Sequence, residues 1–159
     1  MLVRAATPDD VAGILAFGAE VVPEHYRPIL GEQAAFAQLD WWSVRRTTDA
    51  VRAGHEWVAE DGGAIVGVCE TGEFDGAYVV WKLYVRPDWR DRSVGRGLLQ
   101  AAIAARPYGV QDVVLEHFAG NRDAARFYER EGFVQLRTDS APSGDPNAAT
   151  VWRSLHVEE

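Results

Sequence analysis

The sequence predicts an α+β fold, a single domain over residues 1–159 in which a mixed, mostly antiparallel sheet is flanked by helices. Element order is the first observation behind this. It runs strand, helices, three antiparallel strands, helix, strand, helix, two strands, which is not the strict alternation of a doubly wound sheet. The second is a pair of turn signals, Asp61-Gly62-Gly63 and Asp75-Gly76, each set between apolar runs as in a β-hairpin. The third is composition. The 159 residues are 47% hydrophobic and 25% charged, the balance of a globular chain, and a domain of this size removes roughly 70% of its unfolded surface from water. No repeat, low-complexity tract or long linker divides it.

Leu2 to Ala6 is a short apolar run that reads as a first strand. Thr7-Pro8-Asp9-Asp10 then starts a helix, with Thr7 as cap, Pro8 at the first helical position and two acids at the positive end of the dipole. Val11, Ile14, Leu15 and Gly18 follow at helical spacing. From Pro23 to Gly54 the chain is rich in aromatics (Tyr26, Phe36, Trp41, Trp42), and one or two helices are expected there. Glu56 to Glu60, Ala64 to Thr71 and Ala77 to Val85 read as three antiparallel strands. Val94 to Arg106 is a helix burying Leu98, Leu99, Ala102 and Ile103, with Pro107 just beyond its end. Val110 to Phe118 is a strand, and Asn121 to Glu131 a helix closed by Gly132. Phe133 to Thr138 and Thr150 to Val157 form a last antiparallel pair around the loop Ser143-Gly144-Asp145-Pro146-Asn147.

Charge narrows the partners. Acids outnumber bases 24 to 16, a formal net charge of −8. A field of that sign repels phosphate polymers, so nucleic acid is not expected as a partner, whereas a cationic ligand such as an amine is favoured. The single cysteine, Cys69, excludes an internal disulfide and a cysteine-based zinc site. His25, His55 and His156 show no ligand spacing, so no metal is expected. No apolar run approaches the ~18 residues of a membrane span, and Met1-Leu2-Val3-Arg4 lacks a signal-peptide profile. A cytoplasmic protein with no membrane partner is expected.

The segment from Leu83 to Leu99 carries the most chemistry. A strand ends, an arginine-rich turn follows and a helix begins beside glycine, where free backbone N–H groups form a site for phosphate. Arg86, Arg90, Arg92 and Arg96 gather positive charge there against Asp88 and Asp91. The segment is neither a Walker loop nor a Gly-x-Gly-x-x-Gly fingerprint. Two readings stand, an anion site and a surface loop with solvated arginines. A second stretch, Leu115-Glu116-His117-Phe118-Ala119-Gly120-Asn121, leads into Ala124-Ala125-Arg126-Phe127-Tyr128-Glu129-Arg130-Glu131-Gly132-Phe133.

Taken together, the two stretches resemble the cofactor-binding and C-terminal motifs of the GNAT superfamily of N-acetyltransferases. The family's phosphate loop reads Arg/Gln-x-x-Gly-x-Gly/Ala, and Arg90-Asp91-Arg92-Ser93-Val94-Gly95 matches it except at Ser93. Asn121 and Phe127-Tyr128-x-x-x-Gly132-Phe133 match the second motif at its usual spacing. The resemblance covers about residues 56 to 138 well and Leu2 to Phe17 in pattern. It implies a GNAT-like sheet and acetyl transfer from acetyl-CoA, as cosubstrate, to an amine of a small molecule or of a peptide or protein α-amino group. It is compatible with a homodimer. Backbone groups of Leu83, Tyr84 and Val85 would pair with the pantetheine arm. The N–H groups of Asp91, Arg92, Ser93, Val94, Gly95 and Arg96 would hold the pyrophosphate, with Arg90 and Arg92 as candidates for the 3′-phosphate. Asn121 would cap its helix and touch the cofactor.

Ser93 is the departure. Glycine serves where backbone approaches a ligand closely or adopts positive φ. Serine caps helices well and can donate to a phosphate, so binding is expected to survive; if this position demands positive φ, cofactor affinity falls. Tyr128 is the candidate acid for the departing thiolate, a role worth about 10²–10⁴ in rate; its spacing with Ala124 and Phe127 also suits a packed core ring. Glu116 is the candidate base. It alternates with Val114 and Phe118, so one sheet face holds all three, and partial burial would raise its pKa. A solvated or salt-bridged glutamate is the other reading. His117 falls on the opposite face with Val113 and Leu115, as a packed residue. Trp41, Trp42 and Trp81 could line an acceptor pocket or the core, and Glu20, Glu24 and Asp40 could attract a cationic acceptor or simply face solvent. An acetyl-CoA-dependent N-acetyltransferase is the leading reading. A non-catalytic acyl-CoA sensor on the same fold, and an interaction domain binding an acidic partner, are the competitors.

Overall fold

A computed structural model of the chain describes residues 1–158. The first strand, β1 (Leu2–Ala5), is followed by a 3-10 turn at Pro8–Asp10 and then the helix α1 (Val11–Leu30). At the turn, the Thr7 N–H donates to Asp10 Oδ2 at 2.7 Å, and the same carboxylate takes Arg4 Nη1 at 2.7 Å. The expectation that Pro23 opens a new region is corrected, because α1 runs through both Pro23 and Pro28. An interior proline costs about 3 kcal/mol. The stripe Ile14, Phe17, Val21, Val22 and Tyr26 is almost wholly buried, and each such side chain returns about 1.5–3 kcal/mol, so packing outweighs both breaks. Two short helices follow, α2 (Glu32–Ala37) and α3 (Val44–Arg52), with a 3-10 turn at Gln38–Trp41 between them.

The remaining elements are β2 (Glu56–Asp61), β3 (Ala64–Phe74), β4 (Ala77–Val85), α4 (Val94–Ala104), β5 (Asp112–Phe118), α5 (Arg122–Arg130), β6 (Val134–Asp139) and β7 (Thr150–His156). β3 extends three residues past its expected end at Thr71, because its ladder with β4 resumes after a bulge. The strands form one sheet in the order β1-β2-β3-β4-β5-β7-β6. Among the described residues, only β4 and β5 pair in parallel. The last two strands pair as expected, with β7 inserted beside β5 and β6 left at the edge.

Each face of the sheet has its own core. α4 and α5 cover one, through Leu98, Leu99, Val113, Leu115 and Tyr128. α1 and its neighbours cover the other, through Phe17, Val22, Trp42, Val58 and Val68. Gly18 is required here, since a Cβ on it would lie 2.3 Å from the Trp42 ring. Among the described residues, no helix is long and apolar enough to cross a membrane.

Two irregularities in β4 position the site. β3 and β4 are in register from Gly67↔Val85 to Glu70↔Lys82, then resume at Thr71↔Val80, so Trp81 is an extra residue. Such a bulge re-aims side chains, and the consecutive residues Trp81 and Lys82 both face one cavity. The parallel β4–β5 ladder covers only Tyr78↔Val113, Val79↔Val114 and Val80↔Leu115. Beyond it the two strands separate, leaving the β5-facing edge of Trp81 to Val85 without a strand partner.

Candidate active site

The opening between β4 and β5 has a different cavity on each side. On the α4–α5 side lies a cleft of about 860 Å³, lined by Leu83, Tyr84, Val85, Arg90, Asp91, Ser93, Val94, Gly95, Arg96, Asn121, Phe127 and Tyr128 among others. Every backbone and side-chain candidate drawn from the two motifs borders it except Arg92 and Glu116. The Arg92 guanidinium lies 4.9 Å over the Trp89 ring instead. Arg86 is committed as well, to Glu20 at 2.9 Å and to the Ile65 carbonyl at 2.8 Å.

The helix start supplies the anion-binding groups. The first α4 hydrogen bond runs from Gly97 N–H to Ser93 O at 3.0 Å, so the amides of Val94, Gly95 and Arg96 have no intrahelical acceptor. Glycine at 95 leaves them accessible: a Cβ there would only just touch Phe127 and Val85, at 3.6 and 3.7 Å. The chain reaches this geometry through two left-handed residues, Asp91 at φ 61 and Ser93 at φ 63. Position 93 therefore does take the conformation glycine favours. Ser93 holds the capping position without a side-chain cap hydrogen bond, which corrects the expectation that serine serves there as a side-chain cap. These free donors, with the dipole behind them, fit a pyrophosphate.

Asn121 caps α5, accepting from Ala124 N–H at 3.3 Å, while its Nδ2 donates to His25 Nε2 at 3.2 Å. His25 reaches the cleft from α1. Burial and the neighbouring Arg90 lower its pKa to about 4, so it is neutral.

Tyr128 is almost fully buried, and its ring stacks on His117 at 6.1 Å and meets Phe127 and Phe133 edge-on. Its hydroxyl has no hydrogen-bond partner among the described residues. Burial pushes the phenol well above its ordinary value, so it holds its proton. His117 accepts from Arg153 Nε at 2.9 Å, which fixes the proton on Nδ1, where it donates to the Phe118 carbonyl at 2.9 Å. It is a packed, neutral ring whose pKa burial lowers.

On the α1 side lies a second cavity of about 720 Å³. Trp41, Trp42 and Trp81 all line it, with Tyr26, Tyr84, Phe118, Glu70, Lys82 and Glu116. Glu116 is on the face expected for it. Its pKa is raised by burial and then by Asp139. Glu20 and Glu24 border a separate, smaller hollow by α1, and Asp40 borders neither cavity. Sequence reasoning missed Tyr26, Glu70 and Lys82. Tyr26 O–H and Tyr84 O–H lie 2.7 Å apart. Lys82 donates to Glu70 Oε1 at 3.1 Å and to the Trp41 carbonyl at 2.7 Å, with its ammonium 4.5 Å over the Trp42 ring. Counting back from the Asp75-Gly76 turn pairs Glu70 with Trp81; the bulge shifts the count by one and puts Lys82 opposite it. Among the described residues, no group of side chains could hold a metal ion.

Comparison with known proteins places this architecture. The acetyltransferase (GNAT) domain matches residues 52–135. The chain is 29% identical over 122 residues to a probable N-acetyltransferase camello of Xenopus tropicalis, covering 74% of this chain. It spans 56% of that relative's length. The PaiA N-acetyltransferase of Thermoplasma acidophilum, solved with coenzyme A, superposes with a TM-score of 0.81 at 16% identity over 98% of each chain. Ard1 of Thermoplasma volcanium gives 0.74 at 19% identity, over 99% of this chain and 98% of that one. YncA of Salmonella typhimurium, with acetyl-CoA, gives 0.67 at 22%, over 100% and 95%. The match across more than half of the sequence, and a sheet that parts where those motifs meet, lead to one conclusion: the chain belongs to the GNAT acetyltransferase family.

Proposed function

We propose that the chain is an acetyl-CoA-dependent N-acetyltransferase acting on the amine of a small molecule or the α-amino group of a peptide or protein. The observation that carries this is the opening between β4 and β5, with a helix start of free amides on one side and an aromatic, partly acidic cavity on the other. Acetyl-CoA supplies an acyl group activated by its thiol leaving group. The free edge of Leu83, Tyr84 and Val85 pairs with the pantetheine amides as an added strand would. The amides of Val94, Gly95 and Arg96 hold the pyrophosphate, and Arg90 stands at the cleft wall for a further phosphate. Asn121 fixes the start of α5 and with it Tyr128.

The acceptor enters the second cavity as an ammonium, drawn by Glu116. An alkylamine with a pKa near ~10.4 must lose a proton before it attacks. Glu116 takes that proton, directly or through water; its raised pKa suits the task. Tyr128, held protonated, gives its proton to the departing thiolate sulfur. Release of CoA over a panel of amines tests the assignment, alongside thermal shifts with acetyl-CoA. A ligand at 100 times its dissociation constant adds about 2.7 kcal/mol of stability. Stabilisation by acetyl-CoA without CoA release from any amine would instead make the protein an acyl-CoA sensor. No stabilisation would leave an interaction domain.

A further inference from the structure

We infer that the Tyr84 side chain, oriented by Tyr26, is the hydrogen-bond donor to the acetyl carbonyl oxygen during transfer. The inference rests on the acetyl-transfer reading and adds a side chain to a residue so far credited only with its backbone. Among the described residues, Tyr84 alone borders both the cleft that would take the cofactor and the cavity that would take the amine. The acyl carbon must be reached from both sides, so it sits beside this residue.

The geometry frees one proton for the task. The two phenol oxygens lie 2.7 Å apart, a good O–H···O separation, and their rings meet edge to face at 82°. One hydroxyl proton is spent in that bond and the other is not; no third partner reaches either oxygen among the described residues. Tyr26 is pinned in α1 against Phe118, ring centres 5.4 Å apart, and is almost fully buried. Either hydroxyl can donate in that bond; when Tyr26 donates, the Tyr84 hydroxyl is left to donate onward to the acetyl oxygen, and accepting one bond strengthens the one it gives. Burial raises the pKa of both phenols, so they act as donors near neutral pH and not as bases.

The amine lone pair forms the N–C bond while the C=O π pair moves onto oxygen, and the Tyr84 O–H stabilises that charge without surrendering its proton. The C=O bond re-forms as the C–S bond breaks, and sulfur leaves with the bonding pair to be protonated by Tyr128. The ammonium gives its first proton to Glu116 before attack, and from there it passes to solvent; the bonded nitrogen then sheds its second, by way of water, which restores the Tyr128 hydroxyl. Loss of one donor of this kind costs about 10²–10³ in rate. Tyr26 does not touch the reacting atoms and is a positioning residue.

The experiment uses acetyl-CoA with the best amine from the panel, and compares Tyr84→Phe, Tyr26→Phe and the double variant. Tyr84→Phe is expected to lower kcat about 10²-fold with the KM for acetyl-CoA and the melting temperature little changed. Tyr26→Phe should lower kcat by less, and the double variant should be no slower than Tyr84→Phe alone, since both changes break one chain. Unchanged kcat in Tyr84→Phe overturns the inference, as do losses that multiply independently or follow melting temperature alone. Should Tyr84→Phe fail to fold, wild-type kcat in Tyr26→Phe overturns it equally. Wild-type protein that releases no CoA with any amine overturns the acetyl-transfer reading itself, a separate result.

Discussion

Glu56 and Glu70 are direct cross-strand partners on β2 and β3, and their carboxyl groups face each other beneath the α1 side of the sheet. Glu56 is 1% exposed, and neither of its oxygens has a hydrogen-bond partner among the described residues. Lys82 continues the row on β4, opposite Glu70. Two adjacent carboxylates in such a place cannot both ionise. Burial first, then the Glu70 charge, holds Glu56 far above the ordinary carboxylate range. It is the neutral member, free to give its proton to Glu70. The row then carries one acid, one carboxylate and one ammonium, and through Lys82 it ties the cavity floor to the Gln38–Trp41 turn.

This arrangement makes stability pH-dependent in a stated direction. The native chain keeps the Glu56 proton while the unfolded chain releases it above about pH 4.5. Stability from this group is therefore full below that point and is lost as pH rises towards the elevated native value. Glu56→Gln keeps a donor for Glu70 and removes the titration. Its melting temperature should exceed that of the wild type at pH 8 to 9, with the advantage vanishing at pH 5. Parallel curves for the two proteins over that range would refute it.

Ser93 pays for its left-handed conformation with no cap bond in return. Replacement by glycine should stabilise the chain by about 1 kcal/mol in urea unfolding, with acetyl-CoA affinity equal or higher by calorimetry. A destabilised Ser93→Gly would show that the serine side chain holds the loop by some other contact.

At Gly95 size decides. Alanine meets only ordinary contacts with Phe127 and Val85, so Gly95→Ala should bind acetyl-CoA nearly as well as the wild type. Gly95→Leu fills the space above the free amides and should abolish binding while the circular dichroism spectrum stays native. Retained affinity in the leucine variant would remove the helix start from the site.

Tyr128→Phe keeps a ring that packs on three neighbours and deletes a hydroxyl with no partner among the described residues. Its melting temperature should barely move. Turnover should fall about 10²-fold, or about 2.7 kcal/mol of transition-state stabilisation, and recover with acyl donors whose thiols are more acidic. Wild-type turnover with chemistry rate-limiting would take Tyr128 out of the mechanism.

Local signals account for what could be read in the chain. The Gly-containing turns gave the β2–β3 and β3–β4 hairpins, and Asn121 with Gly132 bracketed α5, because these depend on a few neighbouring residues. The course of α1 through two prolines was hidden, since it is decided by burial against a sheet not yet formed. So was the placement of β7 between β5 and β6. The motif residues around the cleft on the α4–α5 side could be named because they lie on two short stretches. Tyr26, Glu70 and Lys82 could not, because a helix, two strands and a bulge of one residue bring them together.

That bulge has a consequence for how the domain tolerates change. A strand has parity: each residue added or removed exchanges the two faces for everything beyond it. At Trp81 the bulge absorbs that step: Val80 before it faces α4, and Lys82 and Tyr84 after it face α1, as they would if it were absent. Were Trp81 deleted, Lys82 would stay opposite Glu70, and the α1-side cavity would lose only an indole from its wall. One residue added or lost anywhere else between Val80 and Val85 would instead turn Lys82 or Tyr84 towards α4. Divergence in length is therefore tolerated at the bulge and excluded beside it.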